Sequence, residues 1–361
     1  MITYMTLPGD TLEKIASDLK IENPTYLKDF HNKHCAVYDR LAEPVKMNPG
    51  TLLLIPFGDE IKKLNQEINE NGDSLYYHPP HGKIPFPIPL LSGIYTVTHQ
   101  KLESGTVQAN YSYQTELKYL RAEQDDHFFS LQIFGSHKNG TESESKMSSL
   151  SKACSAILFP VEIRVNKTGK ITEAKFFHPE TVIKSELDAL KKYFTDELSA
   201  SYIDHLKKRA EDHHQILKNI SNTLPVQFLF GSFYRAKYKD WTDSEVYHEF
   251  IPWLSTGSPI RFELYNRISQ KDKDNDILND ILKIKQFGNS CDYRNLNQLY
   301  NKDYEYNEQS TINSNSVACR HEAEYILNLT NLMVQKVTTQ FEIQIGDVTE
   351  QDIFTIEKQL K

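Results

Sequence analysis

Five prolines fall between Pro79 and Pro89, within the stretch YYHPPHGKIPFPIPLLSG. Each fixes φ near about −65° and removes a backbone donor, so neither a helix nor an interior strand can run through the segment. The chain is therefore divided here. Ahead of the prolines, DEIKKLNQEINEN (59–71) is a polar, helix-prone run with Ile61, Leu64 and Ile68 on one stripe. Residues 60–92 read as a linker, helical at first and then an extended, semi-rigid connector or a strap laid along the next domain. His78 and His81 flank the first proline pair and read as surface positions. A length of 361 residues also exceeds what one core usually organises.

From Gly93 onward the hydrophobic period approaches two. GIYTVTHQKL, TVQANYSYQTELKYLRA and HFFSLQIFG are rich in aromatic and β-branched residues and read as an antiparallel meander. SESKMSSLSKACSAILFP reads as a helix ended by Pro160, and VEIRVNKTGKITEAKFFHP as a hairpin reversing over Asn166 to Gly169. Helices are predicted from Glu180 to Tyr193 and from Thr195 to about Ser221. The second sets Leu198, Tyr202, Leu206, Ala210, Ile216 and Ile220 near one face. PIRFELYNRI, DILKIKQFG, ACRHEAEYILNLT, MVQKVTTQFEIQIGDV and IFTIEKQL restore the strand texture. The fold class is α+β: a small module over 1–59, the linker over 60–92, and a larger antiparallel-sheet domain over 93–361 with two strand-rich halves around helices 180–222.

The first 59 residues carry their own punctuation. ITYMTL alternates as a short strand that Pro8-Gly9 breaks; Asp10 or Thr11 then caps a helix bearing Leu12, Ile15, Ala16 and Leu19. Asn23-Pro24 opens a second helix with Tyr26, Leu27 and Phe30, and NPGTLLLIP (48–56) is a turn feeding a strand that stops at Pro56. The series Tyr4, Gly9-Asp10-Thr11-Leu12, Ile15-Ala16, Leu27, Asn32, Pro49-Gly50, Leu53 and Ile55-Pro56 resembles the LysM pattern. The segment from Lys33 to Met47 is longer than is usual in that family. The resemblance implies a βααβ module, two helices on a two-stranded sheet, of a family that commonly binds N-acetylglucosamine polymers such as peptidoglycan or chitin. It implies a shallow groove between two loops, with glycan- or partner-binding positions at Gly9, Asp10, Thr11, Leu12, Asn48, Pro49, Gly50 and Ile55. The same residues also have purely structural uses, as turn glycines, caps and core.

Signatures of chemistry are sparse. There is no GxSxG, GxxxxGK, GxGxxG or HExxH, and no catalytic residue, cofactor or metal is implied. DKDNDILND (272–280) places Asp272, Asp274 and Asp276 like a calcium loop, yet Ile277 stands where the loop needs glycine and Lys283 where it needs a carboxylate. In HNKHC, His31, His34 and Cys35 fall at a helix end that must also pack. His213 and His214 cannot share a helix face. Cys35, Cys154, Cys291 and Cys319 lack metal spacing and read as reduced, mostly buried thiols; His321 beside Cys319 on a strand means little alone. FYRAKYKDWTDSEVYHEFIPW (233–253), with both tryptophans, Trp241 and Trp253, is either a contact surface or packing.

A net charge of −8 argues against nucleic acid, and no apolar run reaches the roughly 18 residues of a membrane span. MITYMTLPGD lacks the regions of a signal peptide, so the chain is expected to be cytoplasmic as synthesised and to leave, if at all, by a non-Sec secretion particle. The reading that joins these features is a non-enzymatic adaptor whose LysM-like module docks within a bacterial contractile injection (type VI-like) system. The alternative is a peptidoglycan-binding cell-wall protein with an unrecognised hydrolase or toxin body.

Overall fold

In the computed structural model the chain forms two compact units, Met1–Tyr77 and His78–Lys361. All residues are described except 89, 143–144, 222, 240–241, 255–256, 270, 275–278, 302–303, 305 and 360–361, and the side chains of 213–215, 272–274 and 279–280.

The first unit runs β1 (Ile2–Met5), α1 (Leu12–Asp18), α2 (Pro24–His34), β2 (Leu52–Ile55) and α3 (Asp59–Glu70). Thr11 starts α1 by accepting the Lys14 N–H, and Asn23 starts α2 by accepting the Thr25 N–H, with Pro24 in the first turn where its missing donor costs nothing. β1 and β2 pair antiparallel, Tyr4 opposite Leu53. Leu12, Ile15, Ala16, Leu27, Leu53 and Ile55 make the core, and Leu64 and Ile68 of α3 complete it. Asn65 of α3 bonds the Lys20 carbonyl at 2.7 Å and the Glu22 N–H at 3.0 Å, fixing the helix to the α1–α2 connection. The compact unit thus extends to Tyr77, past the boundary at residue 59 expected from sequence, because the stripe on 59–71 finds its burial here.

The second unit comprises β3 (Gly93–Glu103), β4 (Thr106–Glu123), β5 (Asp126–Lys138), α4 (Lys146–Leu158), β6 (Val161–Asn166), β7 (Ile171–Phe176), α5 (Glu180–Leu190), α6 (Glu197–Ala210), α7 (His213–Ser221), α8 (Leu224–Leu229), β8 (Tyr247–Ile251), β9 (Ile260–Ile268), β10 (Asp272–Asp274), β11 (Asn279–Ser290), α9 (Leu296–Tyr300), β12 (Cys319–Asn328), β13 (Val334–Ile345) and β14 (Val348–Lys358). Among the described residues these strands form one sheet of twelve, ordered β7-β6-β5-β4-β3-β14-β13-β12-β11-β9-β8 with β10 on β11. The α+β class holds. Two meanders meet at a seam where β3 pairs with β14, Val97 opposite Ile356 and His99 opposite Phe354. Alternation is clearest in β9, where Ile260, Phe262, Leu264 and Ile268 are buried while Glu263, Tyr265 and Arg267 face out.

The α8 segment packs into the sheet's core. Leu224, Pro225, Val226, Phe228 and Leu229 of α8 are all buried. Just beyond α8, Phe230 meets Phe129 of β5 edge-on at 5.8 Å, and Phe228 lies 6.1 Å from the His321 ring of β12, so this segment bridges both meanders. The single helix predicted from Thr195 to Ser221 is two: α6 ends at Ala210 with Glu211 as its cap, the Asp212 N–H turns back to Arg209 O, and Asp212 O accepts Ile216 N–H to begin α7. Aspartate favours a helix start over a helix interior, which accounts for the break. The proline stretch is a strap on this unit. Ile84 and Leu91 are buried, Gly82 O accepts the Tyr238 N–H at 2.8 Å, and Phe86 packs edge-on against Tyr234 at 5.1 Å. Phe86 also lies so close to Gly169 that a Cβ there would sit 2.9 Å from its ring. No described helix is long and apolar enough to cross a membrane.

Candidate functional site

Two Pro-Gly turns stand side by side at one end of the first unit. In Leu7–Asp10 and Asn48–Thr51 the prolines take the second position and Gly9 and Gly50 the third, each at φ 85°; the Asp10 and Thr51 amides close the turns on Leu7 O and Asn48 O at 3.1 Å each. These are type II turns, and a Cβ at either glycine would meet nothing within 4 Å, so positive φ alone selects glycine. Buried Thr6 joins the turns. Its hydroxyl donates to Asn48 O at 2.6 Å and accepts Thr51 N–H at 3.0 Å, while its carbonyl accepts Gly50 N–H at 2.8 Å. Asp10 braces the first turn, accepting Leu7 N–H (2.8 Å), Tyr4 O–H (2.7 Å) and Lys14 Nζ (3.0 Å). The Leu7 N–H, then Tyr4 and Lys14, hold its carboxyl at about 2 against an ordinary 3.8.

The structure brings Gly9, Asp10, Thr11, Asn48, Pro49 and Gly50 together and leaves the side chains of Leu12 and Ile55 buried in the core. Asp10 is buried within its own turn and Thr11 caps α1, so the surface offered is the main chain of the turns with Pro8, Thr11, Asn48 and Pro49. Three further residues border it. Met5, Leu7 and Leu52 are 60%, 60% and 58% exposed, and Met5 stands opposite Leu52 on the solvent face of the sheet. The sequence carried a signal for this strip: LLLI never alternates with a polar residue, so the outward face of β2 is apolar as well as the inward one.

The longer loop from Lys33 to Met47 is held by α2. Asn32 clamps Leu41 through both its amide atoms, at 2.8 and 3.1 Å. His31 is buried, with Nδ1 accepting the Leu54 N–H at 3.0 Å and Nε2 on Asp39 O at 2.9 Å. His34 Nδ1 bonds Phe30 O at 2.7 Å. Both nitrogens of His31 are thus committed to backbone, while His34 at the end of α2 is exposed.

In the second unit the ionisable groups serve the sheet. His321, fully buried, bonds Gln286 Oε1 at 2.9 Å, and the Gln286 amide donates to Tyr247 at 2.8 Å and Asn266 at 3.1 Å, tying β12, β11, β9 and β8. Burial pulls the His321 imidazole down to about 3 and pushes the Cys319 thiol up to about 12, and Cys154 is raised for the same reason. The His321 ring nitrogens face Gln286 Oε1 and Thr339 Oγ1 rather than the Cys319 thiol. At the seam, His99 pairs with Asp352 and stacks on Phe354 at 3.9 Å, while Trp253 Nε1 donates to the other Asp352 oxygen at 2.6 Å. The pair spans 253 residues of sequence, and nothing in the sequence pointed to it. Asp352 thus clasps the β3 imidazole and the Trp253 indole together at the seam. Phe233, Tyr234, Tyr238 and Trp253 of the aromatic string are buried packing; Trp241 lies outside the described residues, as do the side chains of His213, His214, Asp272 and Asp274 and the whole of Asp276. Among the described residues no cluster of three potential metal ligands occurs.

No protein-family model matches the chain, and no curated protein does. Among solved structures, one of lipovitellin, concerned with lipid–protein interactions, is similar over 74% of this chain and 25% of its own, at 7% identity and a TM-score of 0.36. The chain spans about a quarter of that structure's length. So distant a likeness says nothing of ligand or ancestry.

Proposed function

We propose that the first unit is a LysM-like docking module and that the chain is a non-enzymatic adaptor, a component or cargo adaptor of a contractile injection particle. The observation that supports this most is the apolar strip of Met5, Leu7 and Leu52 beside the twin turns. A sheet face left in water is ordinarily polar, and apolar side chains rimmed by turns suit a protein surface better than a hydrated sugar chain. A protein docked here leaves the cytoplasm with its particle. The second reading, binding of an N-acetylglucosamine polymer, draws on one specific feature. The two turns are exposed at Gly9, Pro49 and Gly50, where main-chain groups can meet N-acetyl groups.

The full chain, a chain lacking residues 1–77 and the Leu52→Glu variant are each incubated with insoluble peptidoglycan and with spike and tube proteins of such a particle. Docking predicts retention by a particle protein that both changes abolish, with the full chain remaining in the supernatant of the glycan. Sedimentation with glycan that Leu52→Glu leaves intact would favour the second reading, and retention by neither would sink both.

A further inference from the structure

β8 ends the sheet. One of its edges pairs with β9 along Tyr247–Ile251, and among the described residues no backbone hydrogen bond outside that pairing reaches 246–251. Immediately upstream the same edge is covered: Glu245 N–H bonds Lys237 O at 2.7 Å, and Tyr238 bridges Ser244. The covering segment then departs. Ser232–Tyr234 forms a 3₁₀ turn drawn inward by the Tyr234 hydroxyl, which donates to Leu332 O at 2.8 Å. What remains beside β8 is a groove of about 310 Å³ lined by Ser232, Arg235, Lys237, Val246, Tyr247 and Glu249. It shares Arg235 and Glu249 with a cavity of about 360 Å³ that reaches Gly169–Ile171 at the β6–β7 turn.

A strand edge of this kind presents alternating N–H and C=O groups, and the chemistry complementary to such a row is another extended chain. Lysine and proline, two of the residues that usually blunt an edge, are missing from the strand itself. Val246 and Phe250 are 56% and 43% exposed. At the other end of the sheet, β7 carries Lys175 and is packed by α7. Exposure alternates along β8: Val246, His248 and Phe250 are exposed, while Tyr247 and Glu249 are half-buried, Glu249 against Arg235. At the mouth, Lys237 and Lys239 share the carboxylate of Glu245 at 3.7 and 3.4 Å, so among the described residues positive charge is in excess there. Glu249 is already engaged by Arg235 at 2.9 Å and does not offset that charge.

We propose that the free edge of β8 takes an extended peptide segment of a partner protein, apolar on the face beside Val246 and Phe250 and acidic at the end beside Lys237 and Lys239. This site is separate from the docking reading of the first unit, and it stands or falls alone. The probe is a phage-displayed library of unstructured ten-residue peptides selected on the full chain. Selected peptides are expected to alternate apolar residues and to carry an acid at one end. They should bind Val246→Lys and Phe250→Lys variants about tenfold more weakly or worse, both variants unfolding at the urea concentration of the parent. Methylating alternate backbone nitrogens of the best peptide should abolish binding in one parity and spare it in the other, a signature that side-chain recognition does not give. Three results would overturn the proposal: no peptide whose binding depends on Val246 or Phe250, binding indifferent to the parity of methylation, or a full chain that dimerises in sedimentation and becomes monomeric with Val246→Lys.

Discussion

Single residues set the twin turns, and their demands can be stated as free energies. Gly9 and Gly50 sit at a φ that costs an L-residue about 1–2 kcal/mol. Gly9→Ala and Gly50→Ala should each destabilise the first unit by that amount, seen as faster amide exchange throughout residues 1–77 of the full chain. Asp10 makes the turn acid-sensitive. Its carboxyl is lowered from 3.8 to about 2 by the Leu7 N–H, Tyr4 and Lys14, so its contribution is complete above 3.8 and is lost as pH falls through about 2. The stability gap between the parent and Asp10→Asn should therefore close over that window; a constant gap would show the carboxylate is not held as described. His321 acts over a higher range. With its value depressed from 6.5 to about 3, the unfolded chain binds a proton below 6.5 that the folded chain refuses. Stability, full above 6.5, should drop by about 1.4 kcal/mol per pH unit toward 3, and urea midpoints of His321→Gln should show a shallower slope. The prolines and glycines of both turns were legible because turn chemistry is local. Thr6, which joins them from 42 residues away, was not.

Elements divide in the same way. The hairpin of β6 and β7 was readable because Asn166 and Gly169 reverse the chain at the observed turn, the Asn166 side chain accepting Thr168 and Lys170 N–H at 3.0 Å each. The stripe on α3 was readable as a stripe, yet periodicity names no partner, and the core it fills belongs to residues far upstream. The break between α6 and α7 was hidden because Ile216 and Ile220 continue the apolar face across Asp212. The seam was hidden altogether: β3 and β14 pair across nearly the whole second unit, and no local pattern encodes such a register. Its clasp is testable. Asp352→Ala leaves His99 and the Trp253 indole without their acceptor in a half-buried site and should cost about 1–3 kcal/mol, read as loosened packing of Trp253 against Phe341, now stacked at 5.3 Å.

At the scale of the molecule, each unit owns its core. Leu12, Leu27, Leu53 and Ile68 close the first without help from residues beyond Tyr77, so a chain of residues 1–77 should fold cooperatively by circular dichroism. A truncation ending at 59 should not, because it leaves the Leu64 and Ile68 sites empty. The second unit behaves differently, since its two meanders are joined within the sheet at one pairing, β3 on β14. A ribosome makes β3 first among these strands and β14 after all the others. Until that last segment clears the exit tunnel, the nascent chain carries two half-built layers with open flanks, each able to mispair with its neighbours on a polysome. The sheet closes only once β14 has been made, and a translational pause placed before residue 348 would prolong its most aggregation-prone state.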